Sequence, residues 1–348
     1  MSERLYQERI VEPAIQAYRN YAHHLGYAQS DIERIVAEKK TKMDAHNLRA
    51  VAGILGFVNS KCTYKCRHCN MMLQDIEPFD IGISSFVKWS DNVLSQIDEV
   101  ARYSFAGGEA LLYKEIGKAL EYILNQTKIF CVHITTNATI IPDESLIPFM
   151  QHPKFYLAIS DYGNLRQQAA LFEFCYKHSI KYHFHEQQEW IPMEWVSHGR
   201  SKDELKKQFS NCTAGKNCHT VYDGRLYHCG QMAAMAAAGM IQPNQFNSLD
   251  ITGEGDIFEF FAQDYQEACD MCNFGIDGLP LVPAGEQENG KLERSPFIVV
   301  PRSELEKRKA WEKELTEGNK WLEQQYLSYK AKYERLNPMR ELLRRFKR

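Results

Sequence analysis

Three cysteines stand close enough together in the chain to bind one metal centre. Cys62, Cys66 and Cys69 have C-x3-C-x2-C spacing and follow an apolar, strand-like run, VAGILGFV. Three thiolates within eight residues can hold an iron–sulfur cluster or a zinc ion. A structural zinc ion needs a fourth ligand. His68 stands between Cys66 and Cys69 in the sequence, which makes it difficult for its side chain to bind the same ion as both cysteines. The spacing therefore favours an iron–sulfur cluster, with zinc as the alternative.

Five more cysteines lie within 61 residues in the second half of the chain: Cys212, Cys218, Cys229, Cys269 and Cys272. One iron–sulfur cluster needs at most four protein thiolates, so this group can supply one further cluster. A zinc ribbon is the alternative, because the ligand types suit either metal. Cys131 and Cys175 lie in a predicted strand and on a predicted helix face, and we expect both to be buried apolar side chains.

The composition is that of an ordinary globular protein. With 44% apolar and 25% charged residues, 348 residues suffice for one large or two modest domains. A net charge of -3 gives no global reason to expect nucleic-acid binding, which needs a concentrated excess of Lys and Arg. The chain has no long apolar run, and its first residues are charged where a signal peptide would be apolar. We therefore expect a cytoplasmic protein, in which clustered cysteines stay reduced and act as ligands or reactive thiols.

Apolar strand-like runs alternate with amphipathic helices between residues 51 and 205. Strands are predicted at 51–58, 103–107, 129–136, 155–160 and 180–185. This alternation predicts an α/β fold of parallel strands joined by right-handed helical crossovers. A full or partial β/α barrel of this kind places its chemistry at the carboxyl ends of the strands. Residues 1–50 are predicted to form a helical accessory segment.

The pattern changes after about residue 200. Asp223-Gly224 stands between two alternating β-type runs, which predicts a hairpin with a type I′ turn. Segment 302–336 is charged and carries an apolar stripe at helical spacing, suited to packing on the protein body or on a partner helix. Pro338 then precedes a basic tail, MRELLRRFKR, which could meet an anionic membrane surface or a phosphorylated carrier. A solvated helix end is the simpler alternative for this tail.

The first cysteine motif, directly after the first predicted strand, resembles the signature of the radical S-adenosylmethionine (SAM) superfamily. The resemblance implies a partial (β/α)6 barrel over residues 51–205 and a 4Fe–4S cluster on Cys62, Cys66 and Cys69. One iron is then left to chelate the amino and carboxylate groups of SAM. In that family an electron from the cluster cleaves SAM, and the resulting 5′-deoxyadenosyl radical takes a hydrogen atom from the substrate.

Residues at other predicted strand ends match further elements of the same family. Gly107-Gly108-Glu109 resembles its GGE element, in which glycines permit close backbone approach and the carboxylate binds the SAM ammonium group. The resemblance implies cofactor-binding roles for His68, Gly107, Gly108, Glu109, Thr135, Thr136, Asn137 and Ser160. The family's G-x-I-x-G-x-x-E element has no clear counterpart at the fifth strand, so the adenine contacts stay unassigned.

The second cysteine group resembles the auxiliary-cluster domains called SPASM and twitch. A complete SPASM domain needs more cysteines after the C-x-x-C of Cys269 and Cys272, and none follows. The resemblance therefore favours a single-cluster twitch domain, a β-hairpin with a helix, over residues 206–285. A linker and the charged C-terminal helix with its basic tail follow over 286–348. The implied ligands of an auxiliary 4Fe–4S cluster are Cys212, Cys229, Cys269 and Cys272, and an alternative set uses Cys218 in place of one of them.

The resemblance leaves two reactions open. An auxiliary cluster can accept an electron from a substrate radical, which gives an oxidation once a base removes a proton. A spare thiol such as Cys218 can instead return a hydrogen atom and produce epimerisation. His183, His185 and Glu186 lie at or near the end of the fifth strand, and they are candidates for a base or for binding substrate hydroxyls.

The substrate class is predicted only indirectly. Peptide-modifying relatives often carry an N-terminal β-hairpin and winged-helix module, and residues 1–50 show no such strands. We therefore expect a small-molecule substrate, a carbohydrate or polyol, with a peptide as the alternative. SDYG at 160–163 and EWIPMEW also resemble radical SAM proteins of polysaccharide biosynthesis. A reducing partner such as flavodoxin or ferredoxin is implied. A protein of another class, a non-catalytic iron–sulfur or zinc scaffold, would share the cysteines without cleaving SAM.

Overall fold

The structure of the protein, a computed structural model, describes residues 3–162, 165–186, 189–244, 247–253 and 255–287. The charged segment 302–336 and the basic tail lie outside these residues. None of the described helices is both long enough and apolar enough to cross a membrane.

A sheet of mainly parallel strands forms the centre of the protein. The strands within the described residues are β1 (Ala50–Val51), β2 (Ile54–Asn59), β3 (Glu99–Gly107), β4 (Ile129–Thr136), β5 (Phe155–Asp161), β6 (Tyr182–Glu186), β7 (Glu189–Trp190), β8 (His219–Tyr222), β9 (Arg225–Tyr227), β10 (Leu249–Asp250) and β11 (Val282–Pro283). The main sheet has the order β10-β9-β8-β2-β3-β4-β5-β6, and β1 also pairs with β3. From β8 through β2 to β6 all neighbours are parallel, which confirms the predicted mixed α/β fold with a parallel sheet.

Helices connect the strands and cover the sheet. Those within the described residues are α1 (Glu3–Tyr6), α2 (Glu12–His24), α3 (Gln29–Asp44), α4 (Ile83–Ser95), α5 (Ile116–Leu124), α6 (Ile147–Met150), α7 (Leu165–Lys177), α8 (Lys202–Asn211), α9 (Ala214–Asn217), α10 (Gly230–Ala237) and α11 (Ile257–Phe261). A π-helical turn, Gln7–Val11, joins α1 to α2. A short 3-10 helix, Glu267–Met271, carries Cys269.

The two faces of the sheet have different partners, because alternate residues of a strand point to opposite sides. On β3, the rings of Tyr103 and Phe105 lie 6.1 and 5.8 Å from the ring of Phe86 on α4. Arg102 and Ser104 of the same strand point to the other side, which we call the inner face. The β3–α4 packing fixes β3, and hence the Gly107-Gly108-Glu109 segment at its end.

Helix α2 covers part of the inner face. The ring of Tyr21 lies 6.2 Å from the ring of His133 on β4, and the ring of His24 stacks on that of His183 on β6 at 3.9 Å. His133 Nδ1 shares a 2.6 Å hydrogen bond with the hydroxyl of Tyr156 on β5. The N-terminal segment is therefore helical over α1 to α3 and packs into the body of the protein.

The predicted hairpin is present and extends the main sheet. Asp223 and Gly224 have φ angles of 46° and 71°, the left-handed pair that a type I′ turn requires. Strand β8 pairs antiparallel with β9 and parallel with β2. The hairpin assigned to segment 206–285 is thus continuous with the strands of segment 51–205, and the boundary at residue 205 stays a prediction.

Candidate metal and cofactor sites

The first cysteine loop follows β2, and each of its three sulfur atoms receives N–H donors. Cys62 Sγ accepts from the backbone N–H of Tyr64 at 3.4 Å and from Asn137 Nδ2 at 3.6 Å. Cys66 Sγ accepts from Gln287 Nε2 at 3.3 Å. Cys69 Sγ accepts from backbone N–H groups of residues 71–73. Donors directed at sulfur suit thiolates that serve as cluster ligands.

The thiols of this loop are largely removed from water and lie near one another. Burial raises the pKa of all three, that of Cys66 to about 12. Repulsion from Cys69 contributes to the raised pKa of both Cys62 and Cys66. Buried thiolates need a compensating positive charge, which a bound metal centre would provide. Across the part of the chain that the structure describes, no group of three or more His, Cys, Asp or Glu side chains has the arrangement of a site for a single metal ion.

The end of β3 lies against the start of the cysteine loop. A Cβ added to Gly107, whose φ is +123°, would lie 1.9 Å from the carbonyl oxygen of Asn59, and one added to Gly108 would lie 1.7 Å from that of Lys61. The backbone N–H of Glu109 donates to the Lys61 carbonyl at 2.7 Å. Both glycines are therefore required by the close approach of the two backbone segments, and their cofactor-binding role stays a prediction.

Glu109 is a buried carboxylate at this junction, with 2% of its surface exposed. It accepts hydrogen bonds from the backbone N–H groups of Asn137 at 2.8 Å and Leu111 at 3.3 Å, and from the Thr136 hydroxyl. Burial nevertheless raises the pKa of Glu109 to about 7. A carboxylate held in this way is prepared to bind a cationic group.

Asn137 connects Glu109 to the first cysteine loop. Besides its bond to Cys62, its Nδ2 donates to Thr63 Oγ1 at 2.9 Å. The neighbouring Thr136 is buried, whereas the Thr135 side chain is exposed. The structure thus brings Asn137, Glu109 and Cys62 together, as the sequence predicts for residues at one edge of a parallel sheet.

Ser160 is buried at the end of β5 and hydrogen-bonds with Tyr162. Burial raises the pKa of Tyr162, and repulsion from Cys62, Cys66 and Cys69 contributes to the rise. Its ring lies 6.0 Å from that of Tyr64 in the first cysteine loop. No sequence motif marked Tyr162 as a site residue, although it follows Ser160 by two positions at a strand end.

His68 is half-buried, and its Nδ1 lies 3.5 Å from the carbonyl oxygen of Met193. This contact joins the first cysteine loop to the segment that follows β7. The cofactor-binding role of His68 stays a prediction.

Four of the later cysteines are buried together: Cys212, Cys229, Cys269 and Cys272. Burial raises the pKa of Cys229, and Cys272, Cys212 and Cys269 raise it further, which places all four sulfurs in one neighbourhood. Backbone N–H groups of Gly215 and Phe274 donate to the sulfurs of Cys212 and Cys272, at 3.5 and 3.4 Å. Their mutual proximity and the N–H donors suit a cluster of four thiolates.

Arg200 fixes the loop that carries Cys269 and Cys272. Its Nη1 donates to the carbonyl oxygens of Cys269 at 2.9 Å, Asp270 at 3.0 Å and Cys272 at 2.9 Å. Gln208 Nε2 donates to the same Cys272 carbonyl at 2.7 Å. One guanidinium therefore satisfies carbonyls on both sides of the C-x-x-C turn. No sequence motif indicated Arg200.

Cys218 lies at the far end of the sheet from Glu109. Ile54 of β2 pairs with His219 of β8, so Cys218 lies beside Gly53. Gly53 comes six residues before Asn59, the end of β2 that lies against Glu109, and six residues span about 20 Å along a strand. Its sulfur lies 3.7 Å from Arg102 Nη2, which also donates to the Asn217 carbonyl at 2.8 Å.

Gly53 makes room for this contact, because a Cβ there would meet Arg102 Nη2 at 2.5 Å. Cys218 is also close enough to Cys212 to raise the pKa of that thiol. The ligand set that uses Cys218 therefore stays an alternative.

The predicted substrate residues on β6 differ in their surroundings. His183 is buried against His24, and the ring of His185 lies 4.5 Å from that of His183. Burial lowers the pKa of His183 to about 2 and that of His185 to about 4, so both rings are neutral near pH 7. The backbone of Glu186 pairs with Asp161, and the side chain of Glu186 lies outside the described part of the structure.

His185 pairs with Ser160 across β5 and β6, which places it nearer the first cysteine loop than His183. Cys131 and Cys175 are fully buried among apolar neighbours, which confirms their predicted role as apolar side chains.

Comparison with known proteins finds partial likeness to solved structures. No protein-family model matches the chain, and no curated protein matches it. SuiB of Streptococcus suis bound to S-adenosylmethionine is 17% identical, with a TM-score of 0.34 over 44% of this chain and 38% of SuiB. The AdoMet-bound anSMEcpe is 21% identical, with a TM-score of 0.33 over 38% of this chain and 41% of that protein.

BtrN in complex with AdoMet and 2-DOIA is 15% identical, with a TM-score of 0.41 over 67% of this chain and 98% of BtrN. In these comparisons the matched region spans less than half of SAM-bound SuiB and of anSMEcpe, and nearly all of BtrN. These identities and scores are too low to assign this chain to a family or to give it a function.

Proposed function

We propose that this chain is a radical SAM enzyme whose barrel-like parallel sheet holds a 4Fe–4S cluster on Cys62, Cys66 and Cys69. The contact that carries the proposal is the chain of hydrogen bonds from Glu109 through Asn137 to Cys62. It joins a buried carboxylate to the cysteine loop at the carboxyl ends of adjacent parallel strands, where α/β enzymes place their chemistry.

The residues of this edge would bind and orient SAM. Glu109 is placed to accept hydrogen bonds from the amino group of SAM, because its own donors hold the carboxylate oxygens in a fixed direction. Thr135 has an exposed side-chain hydroxyl at the end of β4. Ser160, at the end of β5, hydrogen-bonds with Tyr162. When bound there, a 4Fe–4S cluster with one open iron would supply the electron for reductive cleavage of SAM.

A second cluster on Cys212, Cys229, Cys269 and Cys272, in a twitch-type region, would make the reaction an oxidation. The position of Cys218 supports oxidation over epimerisation. Hydrogen-atom return requires reacting atoms roughly 3–3.5 Å apart, whereas Cys218 lies about 20 Å along the strands from the edge with Glu109. An electron, in contrast, can pass between centres that do not touch.

A carbohydrate or polyol is the substrate class that we propose, with a peptide as the alternative. His185 supports this class, because a neutral imidazole can accept a hydrogen bond from one hydroxyl and donate one to another oxygen without introducing charge. The helical N-terminal segment, α1 to α3, also supports it, because it packs into the body of the protein instead of forming a separate peptide-binding module. A flavodoxin- or ferredoxin-like reductant would supply the electron.

Anaerobic purification and reconstitution test this function. The protein should be brown, bind roughly seven to eight irons as two cubane clusters, and form 5′-deoxyadenosine from SAM when reduced with dithionite. A variant with Cys62, Cys66 and Cys69 all changed to Ala should keep about half of the iron and form no 5′-deoxyadenosine. A colourless protein that binds zinc in place of iron would contradict the proposal and support a structural scaffold.

A further inference from the structure

The last described residues of the chain return to the first cysteine loop. After β11 pairs antiparallel with β7, the carbonyl oxygen of Glu286 accepts a 2.8 Å hydrogen bond from the backbone N–H of Arg67. Gln287 then forms an antiparallel β-bridge with Cys66. The side chains of Arg67 and Glu286 form an ion pair at 3.5 Å. The segment therefore lies against the middle of the motif.

The Gln287 amide contacts both the backbone and the sulfur of this loop. Its Oε1 accepts from the backbone N–H of Lys65 at 2.6 Å, and its Nε2 donates to Cys66 Sγ at 3.3 Å and to the Gly285 carbonyl at 2.8 Å. These partners fix the orientation of the amide. Reversing it would point an NH2 group at the Lys65 N–H and an oxygen at the Gly285 carbonyl.

Cys66 differs from the other two cysteines in where its donor comes from. Cys62 and Cys69 receive backbone N–H groups from their own loop. For Cys66, the donor within the described residues is Gln287, 221 positions away in the chain. The loop alone thus leaves one sulfur without a donor, and the returning segment provides it.

We propose that Gln287 is a positioning residue of the first cluster, which orients the Cys66 sulfur and raises the reduction potential of the cluster. This inference rests on the proposed function. Adding an electron increases the negative charge on the sulfurs, so an N–H donor stabilises the reduced cluster more than the oxidised one. Gln287 would therefore make the electron needed for SAM cleavage easier to supply.

Gln74 provides a matched control. Its Nε2 donates to the backbone carbonyl of Cys66 at 2.7 Å, so it supports the same residue without touching its sulfur. A second variant, Gln287→Glu, retains an oxygen to accept the Lys65 N–H but has no donor for Cys66 Sγ when ionised. It removes the donor to sulfur while keeping the Lys65 contact, including when Gln287→Ala binds the cluster poorly, and its negative charge lowers the reduction potential in the same direction.

The test is a redox titration of the full-length reconstituted protein, monitored by EPR, with the first cluster identified by its response to SAM. Gln287→Ala and Gln287→Glu should reduce the ratio of reduced to oxidised cluster at the wild-type midpoint by up to about tenfold, a shift of up to about 59 mV to more negative potential. Gln74→Ala should keep the wild-type midpoint.

Unchanged midpoints in both Gln287 variants would overturn the inference, as would an equal shift in Gln74→Ala. Failure of the proposed function would look different, because the wild-type protein itself would then show no cluster that responds to SAM.

Discussion

The Glu109 carboxylate accepts a hydrogen bond of 2.8 Å from the backbone N–H of Asn137. The two residues follow neighbouring parallel strands, β3 and β4, and the Asn137 side chain in turn donates to Cys62. Three segments that are far apart in the sequence thereby meet at one edge of the sheet. A buried acid that is linked to a cysteine loop in this way is the basis of the proposed cofactor site.

Replacing Glu109 with Gln should weaken SAM binding about 10- to 100-fold, because a charge-assisted hydrogen bond becomes a neutral one. The amide oxygen can still accept from Asn137, so the local fold and the iron content should not change. Equilibrium binding of SAM to the reconstituted protein measures the effect. Glu115→Gln, which removes an ion pair with Lys118 on the following helix, is the control, and equal affinity in all three proteins would exclude the role of Glu109.

Replacing Arg200 with Met should release the loop of Cys269 and Cys272 and lower the iron content from roughly eight to roughly four per chain. Formation of 5′-deoxyadenosine should persist, because the first cluster is separate. Iron analysis after reconstitution measures the loss. Arg225→Met is the matched control, since that guanidinium also binds a backbone carbonyl, that of Ser248, but contacts no cysteine. Full iron content in Arg200→Met would show that the loop does not need Arg200.

Acid should destabilise the contact between α2 and β6. Burial, with smaller contributions from His185 and His23, lowers the pKa of His24 to about 3, and burial lowers the pKa of the stacked His183 to about 2. In the unfolded chain these rings take up protons below about pH 6.5, and in the folded chain they stay neutral. Stability is therefore complete above about pH 6.5 and is lost as the pH falls towards 3.

His24→Phe keeps an aromatic ring but removes one proton-binding site. The free energy of unfolding should then depend less steeply on pH between 6.5 and 5, by up to about 1.4 kcal/mol per pH unit. Denaturant titrations at several pH values measure the slope. His198→Phe, at an exposed position, should leave the slope unchanged, and an unchanged slope in His24→Phe would show that the stack does not determine the acid sensitivity.

Cys218→Ala should retain substrate turnover, and products formed in deuterated water should contain no solvent deuterium. The reason is the position of Cys218 beside Gly53, at the opposite end of the strands from Glu109. Mass spectrometry of products from a panel of sugars and cyclitols measures the deuterium. Deuterium in the wild-type product that disappears in Cys218→Ala would instead establish hydrogen return by this thiol.

The local elements could be predicted from the sequence because they depend on local patterns. The run at 129–136 forms β4 with those bounds, and Asp223-Gly224 forms the expected turn. Strand ends of a parallel sheet share one edge, so the meeting of Glu109 with Asn137 was also predictable.

Contacts between distant segments have no such signature. Arg200 reaches Cys269 and Cys272 from a segment without a motif, and Gln287 reaches Cys66 across 221 positions. The pairing of β8 with β2 could not be read from the hairpin pattern either, because turn chemistry specifies the two strands of a hairpin and not their outer neighbours.

The EPR spectrum of the dithionite-reduced protein, recorded with and without SAM, shows whether the cofactor binds the first cluster. We expect SAM to change the signal of the cluster on Cys62, Cys66 and Cys69, because the cofactor would bind an iron that has no protein ligand. This change should be absent when the three cysteines are replaced by Ala. If SAM changed no part of the cluster spectrum, neither cluster would have an iron open to the cofactor, and the proposed function would be wrong.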